Sequence, residues 1–419
     1  MKISDLYKIF LKYPKVSTDS RNIDKDCIFF SLSGPNFDGN KFAKQALDKG
    51  ALYAIVSNKK YALNNKYIVV ENTLTTLQDL AKFHRKKLKI PFIAITGTNG
   101  KTTSKELIYN CLQKGLSTGY TKGNLNNHIG VPLTILTITK AHQIAIIEMG
   151  ANHIGEIKLL CEITQPNYGV ITNIGLAHLE GFKSLEGIQR AKKELYDYIK
   201  LSNGSIFINN EDKFLNTIST DIKRISYGKS GDVAGNIASS IPFININYKG
   251  TIINSNLSGN YQFDNIMLSI CIAEYFQIKY VDIVKAISEY TPSNNRSQII
   301  KTSNNKILLD AYNANPSSMK ASIDSFASDK NSNKILILGD MFELGDYSSE
   351  EHKKIVELAK RTKIKSFFIG KNFKYHNTEN SYDTIENFIK NLEENPIIDC
   401  FIFIKGSRGI TLEKLVKYL

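Results

Sequence analysis

The stretch Phe92-Ile-Ala-Ile-Thr-Gly97-Thr-Asn-Gly100-Lys101-Thr102-Thr103 decides the fold of the middle of this chain. An apolar run suited to a buried strand ends in a glycine turn, and a lysine and two threonines then open a predicted helix. Backbone N–H groups in such a turn, together with the positive end of the helix dipole, bind phosphate. The stretch therefore predicts a nucleotide-phosphate site formed by Gly97, Thr98, Asn99, Gly100, Lys101, Thr102 and Thr103.

The chemistry of this turn comes from two of its side chains. Lys101 can reach the terminal phosphates of a nucleotide, and the Thr102 hydroxyl can hold Mg²⁺. Ile95 stands where the general phosphate-loop pattern has its first glycine, so the spacing departs from that pattern. The position of the turn, directly after a strand and before a helix, still favours phosphate binding.

Length and composition predict a globular protein of two or three domains, because 419 residues exceed one ordinary core. The chain has 42% hydrophobic and 22% charged residues. No apolar run approaches the roughly 18 residues of a membrane span. Asp5, Lys8 and Lys12 interrupt the layout of a signal peptide, so we expect a cytoplasmic protein without membrane insertion.

The net charge of +14 raises the alternative of nucleic-acid binding. Only seven of the 54 basic residues are arginine, and no motif that reads RNA or DNA is present. A lysine-rich surface is therefore the favoured interpretation, and no nucleic-acid partner is expected. The five cysteines lie far apart, which favours buried reduced thiols over metal sites or disulfides.

The order of strands and helices predicts an α/β protein of three domains. We place a small N-terminal α/β domain at residues 1–88, a central domain with a parallel sheet of phosphate-loop type at 89–295, and a Rossmann-like domain at 296–419. A linker is predicted at 291–295 and a meander of short strands at 241–258. The continuous apolar runs of the central domain, typical of parallel strands, are Phe92–Thr96, Gln143–Glu148, Tyr168–Asn173 and Ser205–Asn209.

Polar side chains end three of these predicted strands. The phosphate turn follows the first strand, Glu148 ends the second, and His178 follows the third. Ligands of open parallel sheets bind beyond the carboxyl ends of the strands, so we expect the three features to face one crevice. Glu148 and Thr102 suit Mg²⁺, whereas an imidazole is an unusual magnesium ligand. A lone Glu or His at a strand end is otherwise a surface or turn residue.

Lys192 lies on an unexpected face of the helix predicted at Ser184–Lys200. It falls within an apolar stripe, whereas Lys193 points about 100° away. One interpretation is a lysine that runs along apolar surface to reach water. The other is an amine in a low-dielectric pocket with a lowered pKa. The stripe consists of Leu185, Ile188, Lys192, Leu195 and Ile199.

The third segment has polar strand ends as well. Asp310 ends one strand, residues 339–345 follow the next, and residues 405–408 follow the last. These ends favour a second binding face that closes on the first. Asp310 or Asn313 could alternatively serve only as a helix cap.

Together these motifs resemble the Mur ligase family, which builds the peptide of bacterial cell-wall precursors. The matching strings span the chain; they are 18–21, 37–39, 97–103, 123–127, 129–132, 148–152, 172–178, 191–192, 310–316 and 338–345. The resemblance implies a three-domain ATP-dependent amide ligase. The branch that it favours adds D-alanyl-D-alanine to UDP-N-acetylmuramoyl-tripeptide through an acyl phosphate, and a monomer is expected.

The resemblance also implies roles for individual residues. The N-terminal domain would hold the UDP end of the substrate, the central domain ATP, and the C-terminal domain the dipeptide. Lys101, Glu148, His178 and Lys192 would be catalytic, with two Mg²⁺ ions on Thr102, Glu148, His178 and Lys192, the last as a carbamate formed with CO₂. Further ATP contacts would come from Asn265, Arg296 and Asp310. Substrate contacts would come from Ser20, Arg21, Asn124, Asn127, Asn313 and Asn315.

The sequence departs from the family pattern at Asn40, Lys193 and Gln262, and the last leaves Asn265 as the expected adenine contact. The alternatives are a ligase of the same superfamily with another acceptor, such as a folate polyglutamylating enzyme, and a nucleotide-binding scaffold without turnover. The strings 18–21 and 148–152 argue against the first. Intact Lys101, Glu148, His178 and Lys192 argue against the second.

Overall fold

The computed structural model describes residues 1–240, 242–293, 295–329, 331, 333–376 and 379–419. Within these ranges the strands form three main sheets of four, seven and six strands, with a smaller three-stranded sheet and a two-stranded ribbon. Helices cover the main sheets, which confirms the predicted α/β class.

The N-terminal unit has a parallel sheet with the strand order β1-β2-β5-β6. Its helix α1 buries Leu6, Tyr7 and Phe10. The Asn72 side chain accepts a hydrogen bond from Thr75 N at 2.9 Å and so caps α3. The elements are α1 Ile3–Lys12, β1 Val16–Ser17, β2 Ile28–Phe30, β3 Ser33–Gly34, β4 Phe37–Asp38, α2 Ala43–Asp48, β5 Tyr53–Val56, β6 Tyr67–Val69 and α3 Thr73–Lys87.

The central unit has a seven-stranded parallel sheet, ordered β13-β12-β11-β10-β7-β9-β8, and a three-stranded antiparallel sheet, β14-β15-β16. Every residue of β7, β9 and β11 is buried, as expected for apolar strands covered on both faces. The strands are β7 Phe92–Thr96, β8 Thr118–Tyr120, β9 Ile144–Glu148, β10 Tyr168–Ile171, β11 Ser205–Asn209, β12 Lys223–Gly228, β13 Val233–Ala234, β14 Asn236–Ser239, β15 Asn245–Tyr248 and β16 Thr251–Asn254. The helices are α4 Lys101–Leu112, α5 Gly130–Thr137, α6 Glu156–Thr164, α7 Leu179–Phe182, α8 Leu185–Leu201, α9 Lys213–Thr217, α10 Gln262–Tyr275 and α11 Tyr280–Glu289.

Strand β7 lies between β10 and β9 in this sheet. The phosphate loop, Glu148 and the segment that leads to His178 therefore leave the sheet at adjacent carboxyl ends. This neighbourhood confirms the predicted crevice.

Two sequence predictions for this unit need correction. The meander predicted at 241–258 begins earlier, because β14 at Asn236–Ser239 is its first strand, and Ile241 lies outside the described residues. Leu185 was predicted to lie in the buried stripe of α8, but it is 37% exposed at the first helical position. The helix begins there because Ser184 Oγ accepts a hydrogen bond from Gly187 N at 3.1 Å.

The C-terminal unit has a six-stranded mixed sheet, ordered β17-β18-β22-β19-β20-β21. Strand β17 is antiparallel to β18, and the other pairs are parallel. Within the predicted linker, Asn294 lies outside the described residues, and the other four residues are neither helix nor strand. The elements are β17 Gln298–Lys301, β18 Lys306–Asp310, α12 Pro316–Ser328, β19 Lys334–Gly339, α13 Ser348–Arg361, β20 Lys365–Ile369, α14 Lys371–His376, β21 Ser381–Tyr382, α15 Ile385–Glu394 and β22 Phe401–Lys405.

The described helices are all too short or too polar to span a bilayer. The thiols agree with the sequence prediction, since all of them are free. Four are buried and the fifth, Cys400, is half-buried.

Candidate active site

The phosphate loop turns through two glycines in left-handed backbone conformations, Gly97 at φ 140° and Gly100 at φ 80°. A Cβ atom on Gly97 would lie 2.0 Å from Thr172 Oγ1, and one on Gly100 would lie 2.5 Å from Asn265 Oδ1. Both positions therefore need glycine, for backbone conformation and for the close approach of neighbouring side chains. Helix α4 begins directly after the loop, as predicted.

The Lys101 amine lies over this loop. It donates hydrogen bonds to the Gly97 carbonyl at 2.7 Å and to the Thr98 carbonyl at 3.0 Å. Burial lowers the pKa of Lys101 to about 8; Glu148 opposes this shift and Arg296 adds to it. The amine thus supplies positive charge at the turn where phosphate oxygens are expected to bind.

Glu148, at the carboxyl end of β9, is 1% exposed. Its Oε1 accepts hydrogen bonds from Thr102 Oγ1 at 3.1 Å and from Asn126 Nδ2 at 2.8 Å. Its Oε2 accepts no hydrogen bond from any described residue, and Lys105 Nζ lies 3.6 Å away. One carboxylate oxygen therefore remains available for a cation beside the phosphate loop.

Asn126 and Lys105 both contact Glu148, and neither is among the site residues predicted from the sequence. Asn126 lies between the predicted Asn124 and Asn127, but nothing in the string distinguishes the three asparagines. Lys105 follows Thr102 by three residues on α4, so the two share a helix face. That spacing is the signal by which Lys105 could have been found.

His178 follows β10 in a left-handed conformation, with φ 51°. Its Nδ1 lies 2.5 Å from Oε2 of Glu343, which follows β19 of the C-terminal unit. Contact with His178 holds the pKa of Glu343 below its usual range. This contact joins the central and C-terminal units. Glu343 belongs to the string 338–345, to which the prediction assigned no individual role.

Lys192 is 2% exposed, so the interpretation of a lysine reaching for water is wrong. Its Nζ lies 5.5 Å from the ring centroid of Phe182, and no hydrogen bond or ion pair to its amine is found among the described residues. Burial lowers the pKa of Lys192 to about 7, Lys101 lowers it further, and Glu156 and Glu194 oppose the shift. Burial of Lys192 thus confirms the alternative of a low-dielectric environment.

The expected adenine contact, Asn265, is engaged within the protein. Its Oδ1 accepts a hydrogen bond from Ser104 Oγ at 2.9 Å, and its Nδ2 donates to Gln262 Oε1 at 2.7 Å. Asn265 also packs against Gly100. The side chain therefore supports the phosphate loop, and Gln262, which departs from the family pattern, fixes its orientation.

The C-terminal unit brings a second set of charged residues to the same place. Lys405 Nζ donates to Asp310 Oδ2 at 2.5 Å and to the Asn313 carbonyl at 3.2 Å. The Arg296 guanidinium stacks 3.7 Å above the centroid of the Tyr312 ring. Asp310 therefore forms an ion pair with Lys405, which is 2% exposed. It does not serve only as a helix cap.

Asn315 is the residue that caps α12. Its Oδ1 accepts a hydrogen bond from Ser318 N at 2.8 Å. Its Nδ2 donates to Asn99 Oδ1, on the phosphate loop, at 2.8 Å. The cap thus also fastens the C-terminal unit to the nucleotide-binding turn.

A cavity of about 800 Å³ lies between the residues of the central unit and those of the C-terminal unit. It is lined by polar groups from both units, which confirms that two faces meet. The sequence-predicted residues that line it are Thr98, Asn99, Gly100, Lys101, Thr102, Thr103, Asn124, Asn127, Glu148, His178, Asn265, Arg296, Asp310, Asn313 and Asn315.

Four predicted residues do not line the cavity. Gly97 and Lys192 are not among its lining residues. Ser20 and Arg21 belong to the N-terminal unit, where the exposed Arg21 guanidinium pairs with Asp19 at 2.8 Å. The structure therefore does not bring the predicted substrate contacts of the N-terminal unit into this cavity.

The donors in the cavity suit a magnesium ion whose shell is completed by phosphate oxygens and water. They do not suit a metal ion that is bound only by protein side chains. Among the described residues, no group of three or more His, Cys, Asp or Glu side chains is arranged to hold a metal ion. Magnesium sites in nucleotide enzymes use one or two carboxylates, and phosphate oxygens and water complete the shell. Thr102 and Glu148 fit that description.

Family models match the chain in three consecutive segments. The model of the Mur ligase family catalytic domain matches residues 12–85. The Mur ligase middle domain matches residues 95–273, and the Mur ligase glutamate ligase domain matches 295–399.

Relatives match over nearly the whole chain. The UDP-N-acetylmuramoyl-tripeptide–D-alanyl-D-alanine ligase of Bacillus subtilis is 35% identical over 96% of this chain and 92% of the relative. A crystal structure of MurF from Acinetobacter baumannii has a TM-score of 0.86 at 29% identity, covering 96% of this chain and 92% of that one. MurF from Thermotoga maritima in complex with ADP has a TM-score of 0.83 at 26% identity, covering 100% and 98%. This chain belongs to the Mur ligase family.

Proposed function

We propose that this protein is an ATP-dependent amide ligase that adds D-alanyl-D-alanine to UDP-N-acetylmuramoyl-tripeptide, forming the pentapeptide precursor of the cell wall. The name of the B. subtilis relative supports the substrates, and the ADP in the T. maritima relative supports ATP. The observation that carries the proposal is the meeting of the phosphate loop, Glu148 and His178 in one cavity of about 800 Å³. Small-molecule sites typically have volumes of about 300–1,000 Å³.

The reaction needs an activated carboxylate, because a carboxylate oxygen is a poor leaving group at neutral pH. Transfer of the γ-phosphoryl group of ATP to the tripeptide carboxylate gives an acyl phosphate. The dipeptide amine attacks its carbonyl carbon, and the tetrahedral intermediate then expels phosphate. Charge accumulates around the transferring group, so positioning and electrostatic stabilisation are the main tasks of the protein.

The residues of the phosphate loop bind and orient the nucleotide in this scheme. Backbone N–H groups from 97 to 103 cradle the phosphates, and the Lys101 amine adds positive charge. Asn265 and Gln262 keep the turn in place from behind. The hydrogen bond from Asn315 to Asn99 holds the C-terminal unit against one side of the loop.

We assign Thr102 and Glu148 to one Mg²⁺ ion, and His178 and a carbamate on Lys192 to a second. Oε2 of Glu148, which accepts no hydrogen bond from a described residue, supports the first assignment. When bound, magnesium supplies positive charge that offsets the charge of the phosphates and the carboxylate. The protein's part would be to supply these oxygen and nitrogen donors to the two ions.

The state of the Lys192 amine supports the carbamate. Carbon dioxide adds to the lone pair of a neutral amine, and a proton is released. The pKa of about 7 leaves a large neutral fraction near neutral pH. Glu156 and Glu194 lie close enough to act on this amine, so an anionic carbamate requires a cation beside it. A ¹³C carbamate signal that appears with ¹³CO₂ and is absent from Lys192→Ala tests the assignment.

We assign residues 1–88 to the UDP end of the substrate, with Ser20 and Arg21 as contacts, and 89–295 to ATP. Residues 296–419 receive the dipeptide, with Asn313 and Asn315 as contacts, while Asn124 and Asn127 face the tripeptide. Arg296 and Asp310 contact the nucleotide from the C-terminal unit. Since UDP-linked precursors and ATP are cytoplasmic metabolites, we propose that the protein acts in the cytoplasm, as a monomer.

Phosphate release from ATP tests the function. The expected result is release that requires both the UDP-linked tripeptide and D-alanyl-D-alanine, with a pentapeptide product of the corresponding mass. A panel of other amino acids and dipeptides, and of folate with glutamate, is the control for a related ligase. Release with folate and glutamate, or binding of ATP without any release, would overturn the proposal.

A further inference from the structure

The close contact between His178 and Glu343 is a feature for which the reaction scheme has no explanation. His178 comes from the central unit and Glu343 from the C-terminal unit, and both line the cavity. The Nδ1 and Oε2 atoms lie 2.5 Å apart. Nδ1 is buried and has no aligned hydrogen bond to a described residue, so the Glu343 carboxylate is in contact with it without hydrogen-bond geometry.

The segment that carries Glu343 is held from behind. Asp340, which is 3% exposed, accepts hydrogen bonds from Asn372 N and Phe373 N, each at 3.0 Å. Met341 N donates to His352 Nε2 at 3.0 Å, and Phe342 N donates to a serine hydroxyl at 2.9 Å. The segment is therefore built to present Glu343 in one place.

The backbone of Glu343 is also constrained. Its φ of 61° is left-handed, which is costly for a residue with a Cβ atom. The Glu343 carbonyl accepts a hydrogen bond from Glu180 N at 3.1 Å, two residues after His178. His178 is left-handed as well, so two strained residues face each other across the boundary between the units.

A carboxylate beside Nδ1 selects the tautomer of the imidazole. It favours a proton on Nδ1, and the lone pair is then on Nε2, which is free to accept or to coordinate. Carboxylates that orient a histidine in this way fix both its ring angle and its tautomer.

We infer that Glu343 is a positioning residue that orients His178 and holds its proton on Nδ1. This inference rests on the proposed function for the role of the histidine. The residue acts through His178, and its own carboxylate performs no step of the reaction.

The competing explanation is that Glu343 only fastens the two units. Other contacts fasten them too: Tyr347 Oη donates to the Lys183 carbonyl at 2.8 Å, and Leu176 N donates to Ser317 Oγ at 2.7 Å. Tyr347→Phe removes such a contact without touching the imidazole. It is therefore the matched control for Glu343→Ala.

The test combines histidine NMR with steady-state kinetics. Protein labelled with ¹⁵N at histidine is recorded without substrates for the wild type, Glu343→Ala, Glu343→Gln and Tyr347→Phe, and His178→Gln identifies the signal. We expect a proton on Nδ1 of His178 in the wild type and in Tyr347→Phe. In Glu343→Ala we expect the Nε2–H tautomer that free imidazole side chains prefer.

In kinetics, we expect Glu343→Ala to lower kcat by about 10- to 100-fold with a much smaller change in KM for ATP. Glu343→Gln, whose amide oxygen can still accept from Nδ1, should retain more activity, and Tyr347→Phe should stay near the wild type. An unchanged tautomer in a folded Glu343→Ala, or an equal loss of kcat in Tyr347→Phe, would overturn the inference. A wild type with the Nδ1–H signal but no ligation would count against the proposed function alone.

Discussion

Lys105 Nζ lies 3.6 Å from Oε2 of Glu148, and the two side chains are only 0% and 2% exposed. The lysine thus compensates a carboxylate that has been removed from water. Two hydrogen bonds, from Thr102 and Asn126, satisfy the other oxygen. Removal of one member of such a pair leaves a buried charge without a partner.

We expect Lys105→Met to lower the free energy of unfolding by about 3–5 kcal/mol, the usual cost of breaking a buried pair. Thermal and urea unfolding measure the change. Lys114→Met is the control, since Lys114 pairs with the largely exposed Glu289 and should have a small effect. The double variant Lys105→Met/Glu148→Gln should recover part of the loss. Equal stability of the wild type and Lys105→Met would show that the pair is not coupled.

A second prediction concerns Gly100, at φ 80°, where a Cβ would lie 2.5 Å from Asn265 Oδ1. We expect Gly100→Ala to weaken nucleotide binding strongly, because the turn must shift away from Asn265. Gly250→Ala is the control: Gly250 has φ 77°, but a Cβ there meets nothing within 4 Å. Titration with a fluorescent ATP analogue measures both. Unchanged binding in Gly100→Ala would contradict the requirement for close approach.

Sequence alone predicted the central sheet where strands are buried on both faces. The run Phe92–Thr96 matches β7 residue for residue, because a short continuous apolar run rich in isoleucine is typical of a strand buried on both faces. Strand β12 escaped prediction since Lys223 and Arg224 are exposed at its start. The antiparallel strand β17 was also missed, because its residues are at most half-buried.

The part of the site that is formed by residues at strand ends could be predicted from the sequence. Glu148 and His178 follow apolar runs, so their approach to the phosphate loop follows from the order of strands. The contact of Glu343 with His178 joins residues that lie 165 positions apart (343 − 178), in different units. No spacing rule connects them, because the docking of two folded units decides which loop faces which.

The third prediction concerns pH. Burial lowers the pKa of Lys192 from 10.5 to about 7, so the unfolded chain binds more protons at this residue between these values. Its contribution to the free energy of unfolding therefore rises with pH across that window. We expect the melting temperature of the wild type, relative to Lys192→Met, to increase from about pH 7 to about pH 10.

Lys193→Met is the control for this pH dependence. Lys193 forms an ion pair with Asp197 on the exposed face of α8, so its charge stays accessible to solvent. We expect no comparable change in relative melting temperature for this variant. If the difference in melting temperature between the wild type and Lys192→Met stays constant with pH, the amine is charged in the folded protein.

The last prediction separates catalysis from nucleotide binding. Lys192 does not line the cavity, and Lys101, which contacts the phosphate loop, does not hydrogen-bond to it. We therefore expect Lys192→Ala to abolish phosphate release that depends on both substrates while ATP binding persists. Lys193→Ala should retain ligation, because its side chain points about 100° away from Lys192 and pairs with Asp197. Phosphate release and nucleotide titration on the same preparations provide the two readouts. Full substrate-dependent release from Lys192→Ala would show that this buried amine, carbamylated or not, is dispensable for the reaction.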